Sequence, residues 1–133
     1  MTNIYKLDAF TTAYIEAALW SSTDDAGAPL DDNYDICDIA PETLAQMVED
    51  CTAFQNDNQY LIFAAEDSDV PYDYDRAGHD FWLTRCGHGA GFWDRGLGKV
   101  GGKLTAAAKV YGNVDLYIGD DGLIYGAILH QQR

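Results

Sequence analysis

Asp75–Gly98 reads DRAGHDFWLTRCGHGAGFWDRGLG, and how its apolar centre is read sets the architecture of everything around it. The stretch holds two of the three histidines (His79, His88), two of the three tryptophans (Trp82, Trp93), Cys86, three of the four arginines (Arg76, Arg85, Arg95) and six glycines, a chemical variety found nowhere else in the chain. Phe81 and Leu83 alternate with Trp82 and Thr84, the two-residue period of a short strand. Gly87-His88-Gly89-Ala90-Gly91 then predicts a tight connection, because glycine tolerates positive φ and close backbone approach. Phe92 and Trp93 resume an apolar segment. The expectation is a central hairpin, or a strand closed by a glycine loop.

Working outward, Leu7, Phe10, Tyr14 and Ala17/Ala18 recur at helical spacing and predict a first helix from Leu7 to about Ser21. Asp24 to Asp38 carries six aspartates and predicts an ordered loop with a short extended piece, since Tyr34, Ile36 and Cys37 give it something to bury. Pro41 and Glu42 suit the first turn of a second helix, whose apolar positions run through Leu44, Met47, Cys51 and Phe54 toward Ala65 unless Asn56-Asp57-Asn58 breaks it. Glu66–Asp75 reads as a solvated acidic loop. Beyond the centre, Val100, Leu104, Ala107/Ala108 and Tyr111 predict a third helix stopped by Gly112. Val114–Ile118 and Leu123–Tyr125 flank Gly119-Asp120-Asp121-Gly122, which predicts a β-hairpin. His130 reads as surface tail. The fold class expected is α+β: one domain over residues 1–133, with two N-terminal helices and a third helix packed on a small antiparallel sheet.

Charge divides this domain. Residues 1–75 hold 17 Asp/Glu against one basic residue, Lys6, whereas residues 76–133 hold 5 acids against 7 Lys/Arg. The first part thus carries a net of −16 and the second +2, together the −14 of the whole chain. Such an asymmetry repels nucleic acid and anionic membrane and attracts basic surfaces. There is neither a membrane-length apolar run nor a recognisable signal segment, so the expected location is cytoplasmic. Cys37, Cys51 and Cys86 are odd in number and form no CxxC pair, so reduced thiols are expected instead of a disulfide framework or zinc knuckle.

AGHDFWLTRCGHGAGFWDRG, KLTAAAKVYG, DLYIGDDGLIYG and LDAFTTAYIEAALWSS together resemble small acidic proteins encoded by tailed phages and prophages. The resemblance implies a phage gene expressed in a bacterial host cytoplasm. It brings no activity and no catalytic residue.

Chemistry in the central stretch has weak candidates. His79, Cys86 and His88 could form a cysteine nucleophile with a histidine base, but no local signature of cysteine hydrolases accompanies them. His79, Asp80, Arg85, His88 and Arg95 are candidates for binding a small ligand, with loop amides helping to hold an anion. Neither a second Cys/His pair for zinc nor a closing Glu for a calcium loop at Asp67–Asp69 or Asp73–Asp75 is present, and no phosphate-loop pattern occurs. No cofactor and no metal is therefore expected.

The acidic surface is the stronger lead. On the second helix Glu42, Glu49 and Asp57 fall opposite the apolar stripe, with Asp50 at its margin, spaced by about 10–12 Å along the axis. Asp31, Asp32, Asp67 and Asp69 lie in adjoining loops. The favoured expectation is a non-enzymatic inhibitor of phage type in which Asp31, Asp32, Glu42, Glu49, Asp50, Asp57, Asp67 and Asp69 mimic nucleic acid and block the basic surface of a host defence or DNA-binding protein. The alternatives are a small-ligand-binding or weakly hydrolytic protein using His79–Arg95, and an accessory protein with a protein partner and no mimicry, its acids serving solubility.

Overall fold

The computed structural model describes residues 7–129; His130 and its reading as tail lie outside them. Five helices precede one hairpin: α1 Ala9–Ser21, α2 Pro41–Asp57, α3 Gln59–Glu66, α4 Tyr74–Arg85, α5 Lys99–Lys109, then β1 Asn113–Ile118 and β2 Ile124–Leu129. The domain is α+β as expected, with more helix and a smaller sheet than the sequence suggested.

The principal correction falls on the central stretch. Phe81–Thr84 is the last part of α4, not a strand. Asp73 caps this helix, its carboxylate accepting from the Arg76 N–H at 2.9 Å, so the end of the acidic loop serves as a helix start. Asp80, Phe81, Trp82, Leu83, Thr84 and Arg85 are all buried, and a helix enclosed on every side loses the one-sided periodicity that identifies an amphipathic one. The glycine run then ends a helix instead of joining strands. Gly87, at φ +71°, donates to Thr84 O at 3.2 Å while His88 N donates to Leu83 O at 3.1 Å, the paired bonds of a Schellman cap. Phe92 and Trp93 follow in a 3₁₀ turn, Phe92–Asp94, not in a second strand.

Around α4 the other elements close. Its most extensive neighbour is α1, capped by Asp8 through the Thr11 N–H. A methyl group at Gly78 would overlap the Phe10 carbonyl oxygen, so absence of a side chain there is what lets the two backbones touch. Phe54 of α2 stacks on Phe81 with ring centroids 4.2 Å apart, and Phe10, Tyr14, Phe92 and Tyr111 complete the aromatic core. Asn58 separates α2 from α3: its side-chain amide donates to Phe54 O at 2.9 Å and competes for a helical carbonyl. The 24–38 segment is ordered, with 3₁₀ turns at Leu30–Asp32 and Ile36–Asp38 and a bridge from Thr23 to Pro29.

The hairpin pairs Ile118 with Ile124 through Asn113 with Leu129. Its turn has Gly122 at φ +81° and a Gly119 N to Leu123 O bond of 2.8 Å. It joins the helical body through the parallel bridge Ile39–Ile124 and the Ala40 N to Ile124 O bond. Among the described residues no helix is long and apolar enough to cross a membrane.

Candidate functional site

The polar residues of the central stretch point mostly inward. Arg85, the last residue of α4 before the cap, is buried and spends its guanidinium on four acceptors: Gly112 O at 2.7 Å, Tyr111 O at 2.8 Å, Tyr14 Oη at 3.0 Å and the Asp50 carboxylate at 2.8 Å. It also lies 5.6 and 5.5 Å from the Phe81 and Tyr111 rings. One side chain therefore ties α4 to α1, α2 and the entry to β1. Burial drives the Tyr14 phenol well above its ordinary range, with Arg85 opposing, so the hydroxyl stays protonated beside the guanidinium.

Asp80 forms a second internal pair. It is fully buried, accepts bidentate bonds from Arg95 Nε and Nη2 (2.7–3.1 Å) and one from Tyr72 Oη at 2.7 Å, with His79 Nδ1 at 3.7 Å. Burial alone would raise this carboxyl. The surrounding donors and the Arg95 charge outweigh it and hold Asp80 below the usual carboxylate range. Arg95 fastens the segment after the glycine loop back onto α4.

Cys86 is half-buried, its sulfur 3.7 Å from Val114 O, and burial pushes the thiol up to about 11. That value leaves little thiolate at neutral pH, the opposite of what a nucleophile needs. His79 and His88 line separate shallow grooves. His79 shares one of about 370 Å³ with Ala13, Glu16, Asp73, Asp75 and Arg76. His88 shares another of about 410 Å³ with Trp20, Ser21, Leu83, Gly89 and Ala90. Among the described residues, no group of three or more His, Cys, Asp or Glu side chains is placed to hold a metal ion.

The acids sort into three populations. Asp8, Asp24, Asp35, Asp38, Asp73 and Asp121 accept bonds from nearby backbone amides and serve as caps and turns. Asp50 pairs with buried Arg85 and buried Asp80 with half-buried Arg95, so Asp50 belongs to the interior network rather than to a free ridge. The remaining seven nominated acids, Asp31, Asp32, Glu42, Glu49, Asp57, Asp67 and Asp69, are exposed, and none is in a salt bridge among the described residues. Glu42, Glu49 and Asp57 stand on α2, whose opposite face is fixed by buried Leu44, Met47, Cys51 and Phe54.

Sequence reading missed Trp20. It lies on α1, is 56% exposed, and has its ring centroid 6.0 Å from that of His79. Its helical spacing pointed half inward, and only the packing of α1 on α4 shows the indole left outside. No protein-family model, curated protein or solved structure matches this chain.

Proposed function

We propose that the chain is a non-enzymatic inhibitor whose carboxylate-covered surface takes the place of nucleic acid on a basic host protein, a defence or DNA-binding protein of the bacterium that expresses it. The observation that carries this reading is the set of seven exposed acids with no cationic neighbour in bonding range among the described residues, three of them on a helix anchored by its opposite face. Unpaired carboxylates on a rigid support cost self-repulsion and are preorganised for an array of Lys and Arg. The α2 ridge alone is much sparser than a duplex, which carries one charge per about 1.7 Å of axis. The contact therefore requires Asp31, Asp32, Asp67 and Asp69 as well.

The competing ligand-site reading loses most of its residues to internal pairs: Asp80 and Arg85 are buried and bonded within the protein, Arg95 commits its Nε and Nη2 to Asp80, and Cys86 is held as thiol. The resemblance to tailed-phage proteins supports a host protein as the target. The test is affinity capture from bacterial lysate with wild type and a Glu42→Lys/Glu49→Lys/Asp57→Lys variant, followed by DNA competition on the purified partner. Expected is a nucleic-acid-binding protein held by wild type alone, released by salt and displaced by duplex DNA. A partner held equally by the variant through high salt overturns the proposal.

A further inference from the structure

We infer that the outer edge of β1 is where a second copy of this chain pairs, the two hairpins joining as one four-stranded antiparallel sheet. This surface is distinct from the acidic one proposed above and shares none of its residues. In an antiparallel hairpin alternate residues bond across the pair, and those between them turn both backbone groups outward. Gly119 N bonds to Leu123 O, one step beyond the Ile118–Ile124 pair, which makes Val114, Leu116 and Ile118 on β1 and Ile124 and Gly126 on β2 the outward positions. The β2 edge is occupied: Ala40 N donates to Ile124 O, and Gly126 N donates to Thr43 Oγ1. On β1 the Val114 carbonyl is met by the Cys86 sulfur at 3.7 Å. Beyond it, the N–H and C=O groups of Leu116 and Ile118 face outward with no bonding partner among the described residues, while the Leu116 side chain turns into the core. Such a row is a template for another strand, and Asn113–Ile118 contains neither proline nor lysine to blunt it.

The open groups select their occupant. Two antiparallel copies of β1 centred on Tyr117 set Leu116 opposite Ile118 of the second copy and Ile118 opposite its Leu116, so every open donor and acceptor on both edges is satisfied at once. Sliding the copies two residues one way would bring in Val114, whose carbonyl already faces Cys86. Sliding them two the other way would set Asp115 against Asp121, a like-charge pair. The side chains agree with the central register. Tyr117 is 49% exposed and stacks on Tyr125 at 5.9 Å, and pairing places it beside its own symmetry mate in a row of four tyrosines. Asp115 then falls opposite Gly119 of the second copy, and half-buried Ile118 is covered by the second Leu116.

Sedimentation velocity on the full chain, over a rising concentration series at low and high salt, measures the association. A monomer–dimer equilibrium is expected that shifts toward dimer as salt screens two like-charged bodies, the reverse of a contact with a basic partner. Ile118→Pro deletes an outward N–H that the hairpin itself does not use and should weaken the dimer roughly thirtyfold, the loss of two ordinary hydrogen bonds per pair. Its circular-dichroism spectrum and melting curve check that the fold survives. Cross-linking reads the register without proline. In a Cys37→Ser background, Tyr117→Cys places two thiols at a non-bonded pair across the twofold axis, about 4.5 Å apart at Cα, and mild oxidation should link the copies. Asp115→Cys, which faces Gly119, should stay unlinked. A wild type that is monomeric at every concentration overturns the inference and leaves the edge to a strand of a different protein. A dimer indifferent to a folded Ile118→Pro, or one that links no better through Tyr117→Cys than through Asp115→Cys, overturns it as well.

Discussion

Arg85 and Asp80 lie five residues apart on α4, and each carries a full charge into the interior, where removal of one partner strands the other. Arg85→Ala is expected to cost about 3–5 kcal/mol in urea unfolding, because Asp50 loses its counter-charge and the Gly112 and Tyr111 carbonyls lose their donor. Arg85→Lys should not restore it, since one ammonium cannot reach acceptors spread over a planar fork. A pH profile checks Asp80. Its folded carboxyl sits below the ordinary 3.8, so its contribution is fully present above that value and is lost as pH falls through the lowered one. Asp80→Asn should be less stable than wild type at neutral pH and converge on it in strong acid; stability curves parallel throughout would refute this. Tyr14 and Tyr72 act in the other direction. Burial raises both phenols, so their contribution is present below 10.0 and erodes as pH climbs beyond it, and Tyr72→Phe should flatten that alkaline loss.

At the scale of elements, α4 is the axis against which α1, α3 and α5 pack and on which the Phe54 ring of α2 stacks, and its contact with α1 depends on a missing side chain. Gly78→Ala would drive a methyl group into the Phe10 carbonyl, which belongs to helix backbone and cannot swing aside. The expected loss is about 3 kcal/mol, the upper end for overpacking, outweighing the modest gain in helix propensity that alanine brings elsewhere. Chemical denaturation of Gly78→Ala beside Gly102→Ala decides the point, since Gly102 is exposed on α5 and a methyl there meets nothing within 4 Å. Equal effects at the two glycines would remove the close approach as a determinant of the fold. The same reasoning explains the loop after α4: a Cβ at Gly91 would collide with the Thr84 hydroxyl, which the Phe92 N–H uses as its acceptor at 3.1 Å.

The whole molecule carries −14, and among the described residues the lysines, Lys99, Lys103 and Lys109, are exposed and lie on α5. Self-repulsion of this size predicts that thermal stability rises with salt. From about 0.01 M to about 1 M the screening length falls from roughly 30 Å to 3 Å, so the melting temperature should climb by several degrees across that range. The Glu42→Lys/Glu49→Lys/Asp57→Lys variant, six charge units less negative, should melt higher at low salt and respond less. A melting temperature indifferent to salt would mean that the exposed acids do not repel one another, and the cost argument for a basic partner would fall with it.

The sequence by itself determined the α+β class, the first helix, the proline start of α2, the third predicted helix at α5 and the hairpin turn, and it left open whether Asn56-Asp57-Asn58 breaks the second helix. Each is written in local signals: three- and four-residue spacing, a proline in the first turn, Asp-Gly at positive φ. It also determined the charge and which acids fall opposite the α2 stripe. Only the tertiary structure decided that Phe81–Thr84 is helical, because four consecutive buried residues satisfy a strand and an enclosed helix equally well until the neighbours on every side are known. It alone turned Asp50, Asp80, Arg85 and Arg95 from a candidate surface into internal ion pairs, since partners 15 and 35 residues apart leave no local pattern. Burial of a charge is a property of what packs over it, and so is the exposure of Trp20.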